Sequence, residues 1–232
     1  MQYELGLHHE LVLLALNDAT GDFQSGMLTY GVAGAILSEL LLLERIVTSD
    51  DKEKMVDVKC SDRTNDELLD EVLTDIETAE KPLALGKWIV KTAQIKELQH
   101  RIANQLAEAG ILKQDEKKVL WLFTKRIYPE IDGSYEDAIR ARMSSQMFDE
   151  KATVDERTAV LVTFAKCVNA LNPNFAAVEL QQHQQRIASI CDGELLAGSA
   201  TKETIRAVQA AHTAAIIAST IAISTATSAG IR

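Results

Sequence analysis

The sequence predicts a mainly α-helical fold, a single-domain helical bundle wrapped by amphipathic helices, with one or two β-hairpins. The chain of 232 residues contains only 3 prolines and 11 glycines, so long helices can run with few interruptions. Apolar residues recur at helical spacing over most of its length. At two places a helix leads into a short apolar strand, a charged turn and a returning strand, which makes a winged-helix-like helix-hairpin unit.

The first two predicted helices are strongly apolar. One runs from Leu5 to Leu16 and ends at the polar segment 17–21. The next, from Gly31 to Arg45, opens with the small residues of the segment 31–35. Small side chains at a helix surface either let another helix pack closely or leave room for a ligand. The sequence leaves both interpretations of this helix open.

The two predicted hairpins begin at Ile46 and Ile111, 65 residues apart. In each, an apolar pair opens the first strand and charged residues, such as those of the segment 113–118, form the turn. Apolar strands return at residues 55–58 and 119–123. The separation is longer than the usual solenoid repeat, so we expect two copies of one layout within one domain.

The remainder of the chain predicts further helices. Asn65 or Asp66 caps one helix, Pro82 begins another, and the helical spacing from Ile95 to Leu106 stops at Gly110. Further helices are expected at residues 135–148, 155–171, 175–190 and from 201 onwards. We predict one domain over residues 1–218 and a low-complexity tail over 219–232. The apolar segment 214–223 is rich in Ala, Ser and Thr, which favours a core helix over a membrane span.

Charge and cysteine usage narrow the function. The formal net charge of −10 argues against nonspecific binding of nucleic acid, which requires lysine and arginine, and we expect no nucleic-acid partner. Cys60, Cys167 and Cys191 are odd in number and far apart, as expected for reduced thiols in a cytoplasmic protein. The N-terminus has no basic region before an apolar run, so we expect no signal peptide.

No motif in the chain predicts an enzyme. A glycine-rich phosphate loop, a nucleophile elbow and a zinc-ligand spacing are all missing from the sequence. His8-His9-Glu10 suggests a metal site, but adjacent histidines on a helix are expected to point to different faces. We therefore predict no catalytic residues, no cofactor and no metal.

An aromatic and basic segment favours contact with a membrane surface. Apolar side chains that alternate with cations can enter a lipid interface while the cations pair with anionic headgroups. The predicted membrane-contact residues are Trp121, Phe123, Lys125, Arg126, Ile127 and Tyr128. The alternative is that the rings form the buried face of a strand and that the cations are merely solvated.

The order and spacing of several segments resemble the Golgi phosphoprotein 3 family. The resemblance extends from about Leu5 to Ala218 and is carried by segments 11–16, 31–40, 65–73, 88–89, 101–106, 110–112, 123–129 and 155–161. It implies a helical bundle with a protruding β-hairpin. It also implies a peripheral membrane protein that binds phosphatidylinositol 4-phosphate and recruits the cytosolic tails of membrane enzymes.

The resemblance also implies a headgroup site, and this sequence departs from the family there. The eukaryotic pattern has a Trp where Gln24 stands, an Arg at Ala33, and two further Arg at Lys96 and Gln99. Only Lys96 retains a charge, and each lost charge-assisted hydrogen bond removes about 1.5–3 kcal/mol. Lys91 and Arg101 are candidate replacements. These changes favour a divergent prokaryotic relative with weak headgroup binding.

We therefore predict a non-enzymatic peripheral membrane module with a degraded headgroup site. It would be cytoplasmic, peripheral at a membrane surface, and would bind an anionic phospholipid headgroup and the cytosolic tails of membrane proteins. Self-association through the hairpin is a further expectation. The alternative is a soluble winged-helix-like regulator that binds a protein or DNA.

Overall fold

The computed structural model describes residues 3–17, 19–23, 27–49, 54–119 and 123–196. Its helices are α1 (Leu7–Ala15), α2 (Leu28–Leu42), α3 (Glu67–Glu77), α4 (Leu85–Ala93), α5 (Leu98–Glu108), α6 (Ser134–Phe148), α7 (Glu156–Cys167), α8 (Leu171–Asn174), α9 (Ala177–Gln182) and α10 (Gln184–Cys191). Its strands are β1 (Ile46–Thr48), β2 (Met55–Val58), β3 (Leu83–Ala84), β4 (Asp115–Val119) and β5 (Phe123–Ile127).

Helices α1, α2 and α7 form the centre of the bundle. Every residue of α1 is buried, and α1 packs against α2, α5, α6 and α7. The outer helices bury one face only, as α3 does with Leu68, Leu69, Val72, Leu73 and Ile76. A helix that is apolar on all sides belongs in a core, whereas a one-sided helix covers it. The predicted fold class, a helical bundle wrapped by amphipathic helices, is confirmed.

The small residues of α2 allow α7 to approach closely. A Cβ atom added at Gly34 would lie 2.5 Å from Cε1 of Phe164, and one added at Gly31 would lie 2.4 Å from Cγ1 of Val168. Real side-chain contacts are not this short, so a larger residue at either position would require Phe164 or Val168 to shift. Of the two interpretations left open by the sequence, close helix packing applies at these positions.

Both predicted hairpins are present, although the second was placed wrongly. Strands β1 and β2 pair antiparallel, with Ile46 opposite Val58, and β3 adds a third strand that the sequence did not predict. In the second hairpin the charged segment predicted as the turn forms most of strand β4. Leu112, predicted to open the strand, makes only an isolated bridge with Glu130. A two-stranded hairpin exposed to water on its charged face needs no continuous apolar pattern, which explains the error.

Most helix ends agree with the local sequence signals. Asp66 caps α3 by accepting hydrogen bonds from the backbone nitrogens of Leu68 at 2.9 Å and Leu69 at 3.1 Å. Gly110 has φ of +76°, where the helix was predicted to stop. The helix predicted at 175–190 is divided into α9 and α10, and the one predicted at 155–171 ends at Cys167. The helix predicted from 201 and the tail lie outside the described residues.

Candidate functional site

Three long-range contacts bring predicted site residues together at one corner of the molecule. The Gln99 side chain donates to Oγ1 of Thr29, which joins the start of α5 to the first turn of α2. Arg126 of β5 pairs with the carboxylate of Glu97, and Nζ of Lys125 lies 2.9 Å from Oδ1 of Asp22. We name this region the hairpin corner; it comprises Thr29, residues 96–99 and strands β4 and β5.

The structure places the four positions of the predicted headgroup site in different environments. Lys96 is exposed in the turn between α4 and α5 and has no ion-pair partner among the described residues. Gln99 is half-buried, and its side-chain amide donates a hydrogen bond to Thr29. Ala33 is completely buried inside the bundle, so its side chain offers no surface to a ligand. Gln24 lies outside the described residues.

The two candidate replacement cations point towards α3 instead. Nζ of Lys91 lies 3.0 Å from Asp75 and 4.6 Å from the centre of the Trp88 ring. Nη2 of Arg101 lies 2.6 Å from Oε2 of Glu71. Because acidic α3 engages both side chains, the structure does not bring them to Lys96.

Tyr128 was predicted to contact a membrane, and the structure shows this to be wrong. The side chain is only 1% exposed, and its hydroxyl donates to Oδ1 of Asn104 at 3.2 Å and lies 3.0 Å from Nδ1 of His100. Tyr128 follows β5 at the point where the chain rejoins the bundle, so its ring faces the core. Ile127 is half-buried; Trp121 and the side chain of Phe123 lie outside the described residues.

The hairpin carries more exposed positive charge than was predicted. Lys117 stands directly opposite Lys125, and Lys118 opposite Thr124. Lys117 and Lys118 are exposed and, like Lys96, have no ion-pair partner in the part of the chain that the structure describes. Sequence reasoning missed both lysines because it assigned them to a turn.

Several carboxylates moderate this charge: Glu116 stands opposite Arg126, and Asp22 and Glu97 pair with Lys125 and Arg126. The hydrogen bond from Lys125 lowers the pKa of Asp22, and that from Arg126 lowers the pKa of Glu97. Glu97 has φ of 57°, a left-handed conformation that is uncommon for residues other than glycine. Lys125 and Arg126 therefore serve partly to hold the hairpin against the bundle.

We expect His100 to make folding sensitive to mild acid. Burial lowers the pKa of His100, and the charge of Arg126 lowers it further, although Glu97 opposes this. The folded protein then binds fewer protons than the unfolded chain below about pH 6.5, so stability should fall as the pH drops through that value. When the pH is lowered from 7.5 to 5.5, the free energy of unfolding measured with urea should decrease less in His100→Gln than in the wild type. An equal decrease in both proteins would contradict the role of His100 in this acid sensitivity.

A second polar cluster lies at the start of α1, where the sequence predicted separated histidines. The ring centres of His8 and His9 are 4.0 Å apart, and their Nε2 atoms lie 3.0 and 3.8 Å from Oδ2 of Asp66. The expectation that they point to different faces is wrong. Helical side chains lean towards the N-terminus, and at the first turn of α1 both rings reach the cap of α3. Burial and the neighbouring His8 lower the pKa of His9 to about 3.

An ion network with two buried carboxylates joins α1, α2, α6 and α7, and sequence reasoning also missed it. Arg157 of α7 contacts both carboxylate oxygens of Glu39 at 2.9 Å, and Arg142 of α6 contacts both of Glu10 at 3.1 and 2.7 Å. Glu10 and Glu39 are nearly completely buried. Their presence in otherwise apolar helices was the available signal, because buried carboxylates require partners.

In the described part of the chain, no helix is both long enough and apolar enough to cross a bilayer. The segment 214–223, for which the sequence raised that question, is not among the described residues.

The fold and the hairpin corner define a class of helical protein with a β-hairpin, as the resemblance implied, and here the hairpin bears several cations. The chain belongs to the Golgi phosphoprotein 3 family, whose model matches residues 7–208. It is similar to vacuolar protein sorting-associated protein 74 of Eremothecium gossypii, with 30% identity over 162 residues that cover 61% of this chain and 48% of that protein. The protein of the same name from Schizosaccharomyces pombe is 27% identical over 175 residues, covering 66% of this chain and 51% of the relative. The chain thus spans about half the length of these curated relatives.

Proposed function

We propose that this protein is a non-enzymatic peripheral membrane adaptor that binds anionic phospholipid headgroups weakly through the hairpin corner. Membership of the Golgi phosphoprotein 3 family supports the class. The observation that carries the proposal is the convergence of Lys96 with the cations of β4 and β5 on one corner of an acidic protein. Cytosolic tails of membrane proteins are the proposed second partner.

Local charge, rather than net charge, governs such binding. Charges further apart than the Debye length of about 8 Å at physiological salt are largely screened from one another. Successive side chains of β4 point to opposite faces, so one face of the hairpin presents Lys117 with Lys125 and the other presents Lys118. A lipid surface at the hairpin corner therefore meets Lys96 and these lysines, together with the neighbouring carboxylates Asp115 and Glu116, rather than the net charge of the whole protein. Each cation near an anionic bilayer contributes about 1 kcal/mol, which supports reversible and salt-sensitive binding.

Strong preference for one phosphoinositide is not expected from this corner. A phosphomonoester is best held by several guanidinium groups with fixed geometry. Here Lys96 is the one charged residue among the four family positions, and the amide of Gln99 is already bonded to Thr29. We therefore expect phosphatidylinositol 4-phosphate and phosphatidylserine to be bound similarly when vesicles carry equal charge.

Charge reversal at the hairpin corner tests the proposal. In Lys96→Glu/Lys118→Glu, sedimentation with phosphatidylcholine vesicles containing phosphatidylserine should weaken at least about tenfold, because two attractive charges become repulsive. Binding of the wild type should also decline as the salt concentration is raised from about 50 to about 300 mM, because the Debye length shortens and the attraction between the lysines and the lipid headgroups is screened.

The matched control is Lys59→Glu/Lys151→Glu, which changes the net charge equally. Lys59 follows β2 and lies beside the end of α2. Lys151 precedes α7, and the first turn of α7 contacts the same end of α2 through the pair of Arg157 and Glu39. The control should bind vesicles as the wild type does. Equal binding by all three proteins would refute the hairpin corner as the lipid site. Retention of DNA in a gel shift without vesicle binding would favour the winged-helix-like alternative.

Self-association through the hairpin stays a prediction. Strands β4 and β5 form a two-stranded sheet, so each has one edge that pairs with no other described strand. An open edge can pair with the same edge of a second chain, although the lysines of the hairpin oppose this.

A further inference from the structure

The cluster of His8, His9 and Asp66 is separate from the hairpin corner and has the composition of a metal site. It lies where the first turn of α1 meets the N-terminal cap of α3. Each of the three residues offers one ligand atom, and these atoms all lie within 4.8 Å of one another. Two imidazoles and a carboxylate are ligands that Zn²⁺ accepts in three-residue sites.

The distances are close to those that a bound ion requires. Zn²⁺ holds nitrogen and oxygen ligands at about 2.0–2.2 Å, which places tetrahedral ligand atoms about 3.3 Å from each other. The Nε2 atoms of His8 and His9 are 3.0 and 3.8 Å from Oδ2 of Asp66. Small side-chain rotations would therefore be enough to admit an ion.

The second ring nitrogen of His8 is not involved in any contact that metal binding would disrupt. The ring is completely buried, and among the described residues its Nδ1 atom has no hydrogen-bond partner. If Nε2 binds a metal, the proton moves to Nδ1, where no hydrogen bond is lost but none of the described residues accepts one. His9 differs, because its Nδ1 accepts a hydrogen bond from the backbone nitrogen of Gly6 at 3.1 Å. Metal binding at Nε2 of His9 would break that bond, release Gly6 and displace Oε1 of Gln105, which lies 3.3 Å from Nε2.

A cavity adjoins the cluster on the side of Asp66. Asp66 lines a cavity of about 320 Å³, together with Tyr3, Leu5, Gly6 and Asn65. The side chain of Asp66 is 12% exposed, whereas both histidines are enclosed. The open coordination position would therefore face this cavity.

We propose that His8, His9 and Asp66 bind a divalent transition-metal ion, best fitted by Zn²⁺, with water from the cavity as the fourth ligand. The ion would join α1 to α3, which otherwise meet here through the hydrogen bond between His8 and Asp66. The site does not depend on lipid binding, so either proposal can fail without the other.

Titration of metal-stripped full-length chain with Zn²⁺, followed by calorimetry, tests the site. We expect one ion to bind and to raise the thermal midpoint. Asp66→Asn should weaken binding at least about tenfold because it removes the charged ligand, while asparagine remains an equally good helix cap. Co²⁺ in place of Zn²⁺ should give the visible bands of a tetrahedral site with nitrogen and oxygen ligands.

The matched control is Asp155→Asn, which alters another aspartate cap. Asp155 caps α7 by accepting from the backbone nitrogen of Thr158 and lies outside the histidine cluster. This variant should bind Zn²⁺ as the wild type does. The proposal is overturned if the wild type binds no Zn²⁺, if both asparagine variants bind equally, or if the Co²⁺ spectrum shows thiolate charge transfer from a cysteine.

Discussion

Replacement of Arg157 by methionine is expected to destabilise the protein by about 3 kcal/mol, because it leaves the buried carboxylate of Glu39 uncompensated; the value is at the low end for such pairs since the Arg157 side chain is 31% exposed. Arg157 contacts both carboxylate oxygens of Glu39 and donates to the backbone oxygen of Leu5 at 2.7 Å. Glu39 also accepts from the backbone nitrogen of Leu7 at 2.6 Å. One guanidinium therefore connects α7, α2 and the segment before α1.

Chemical unfolding of Arg157→Met measures this loss. Arg63→Met is the matched control, since Arg63 is 73% exposed and lies 3.7 Å from Asp70; its stability should change by no more than about 0.5 kcal/mol. In Glu39→Gln/Arg157→Met the uncompensated carboxylate is absent, so part of the loss should be recovered. A loss below about 1 kcal/mol in Arg157→Met would show that the pair is not effectively buried.

Tyr128→Ala is expected to cost a similar amount, about 3–5 kcal/mol, because it removes a buried ring and leaves a cavity. The ring packs with Phe23 and His100, whose centres lie 5.9 and 5.7 Å away and 5.3 Å from each other. Tyr128→Phe keeps the ring and loses only the hydroxyl that contacts Asn104 and His100, so it should cost about 1 kcal/mol.

Vesicle binding by Tyr128→Phe separates the two interpretations of this residue. If Tyr128 is a core residue, Tyr128→Phe should bind anionic vesicles as the wild type does. Ile127→Ala, next in the chain and half-buried, serves as the control for a change in the hairpin and should destabilise much less than Tyr128→Ala. A fully stable Tyr128→Ala protein with weakened vesicle binding would restore the membrane-contact interpretation.

The central part of the fold was predictable because its signals are local. The apolar residues of α1 and the one-sided pattern of α3 identify a buried and a covering helix directly. The caps at Asp66 and Asp155 and the stop at Gly110 follow from conformational preferences of single residues. None of these features requires knowledge of distant contacts.

The second hairpin was harder to predict, because its pairing depends on where the chain returns. Lys113 donates its backbone nitrogen to the oxygen of Pro129, and Leu112 bridges Glu130, so the two segments approach before β4 begins. Ile111 and Leu112, which suggested the first strand, therefore belong to the base of the hairpin. A lysine-rich strand such as β4 has little intrinsic signal for the extended conformation.

The candidate sites were predicted least well, because they depend on side-chain directions. That Lys91 and Arg101 turn to α3, while Arg126 turns to Glu97, is decided by tertiary contacts between sequence-distant residues. The proximity of the histidine pair to Asp66 likewise spans 58 positions in the sequence. Spacing along one helix could not reveal either arrangement.

The enclosure of α1 has a consequence for how this chain can change over evolutionary time. Neighbouring helices cover it on every side, so none of its nine positions can alter in volume without a matching alteration in α2, α5, α6 or α7. Substitutions in this helix should therefore accumulate in correlated sets among relatives, whereas the exposed face of α3 is free to drift one residue at a time.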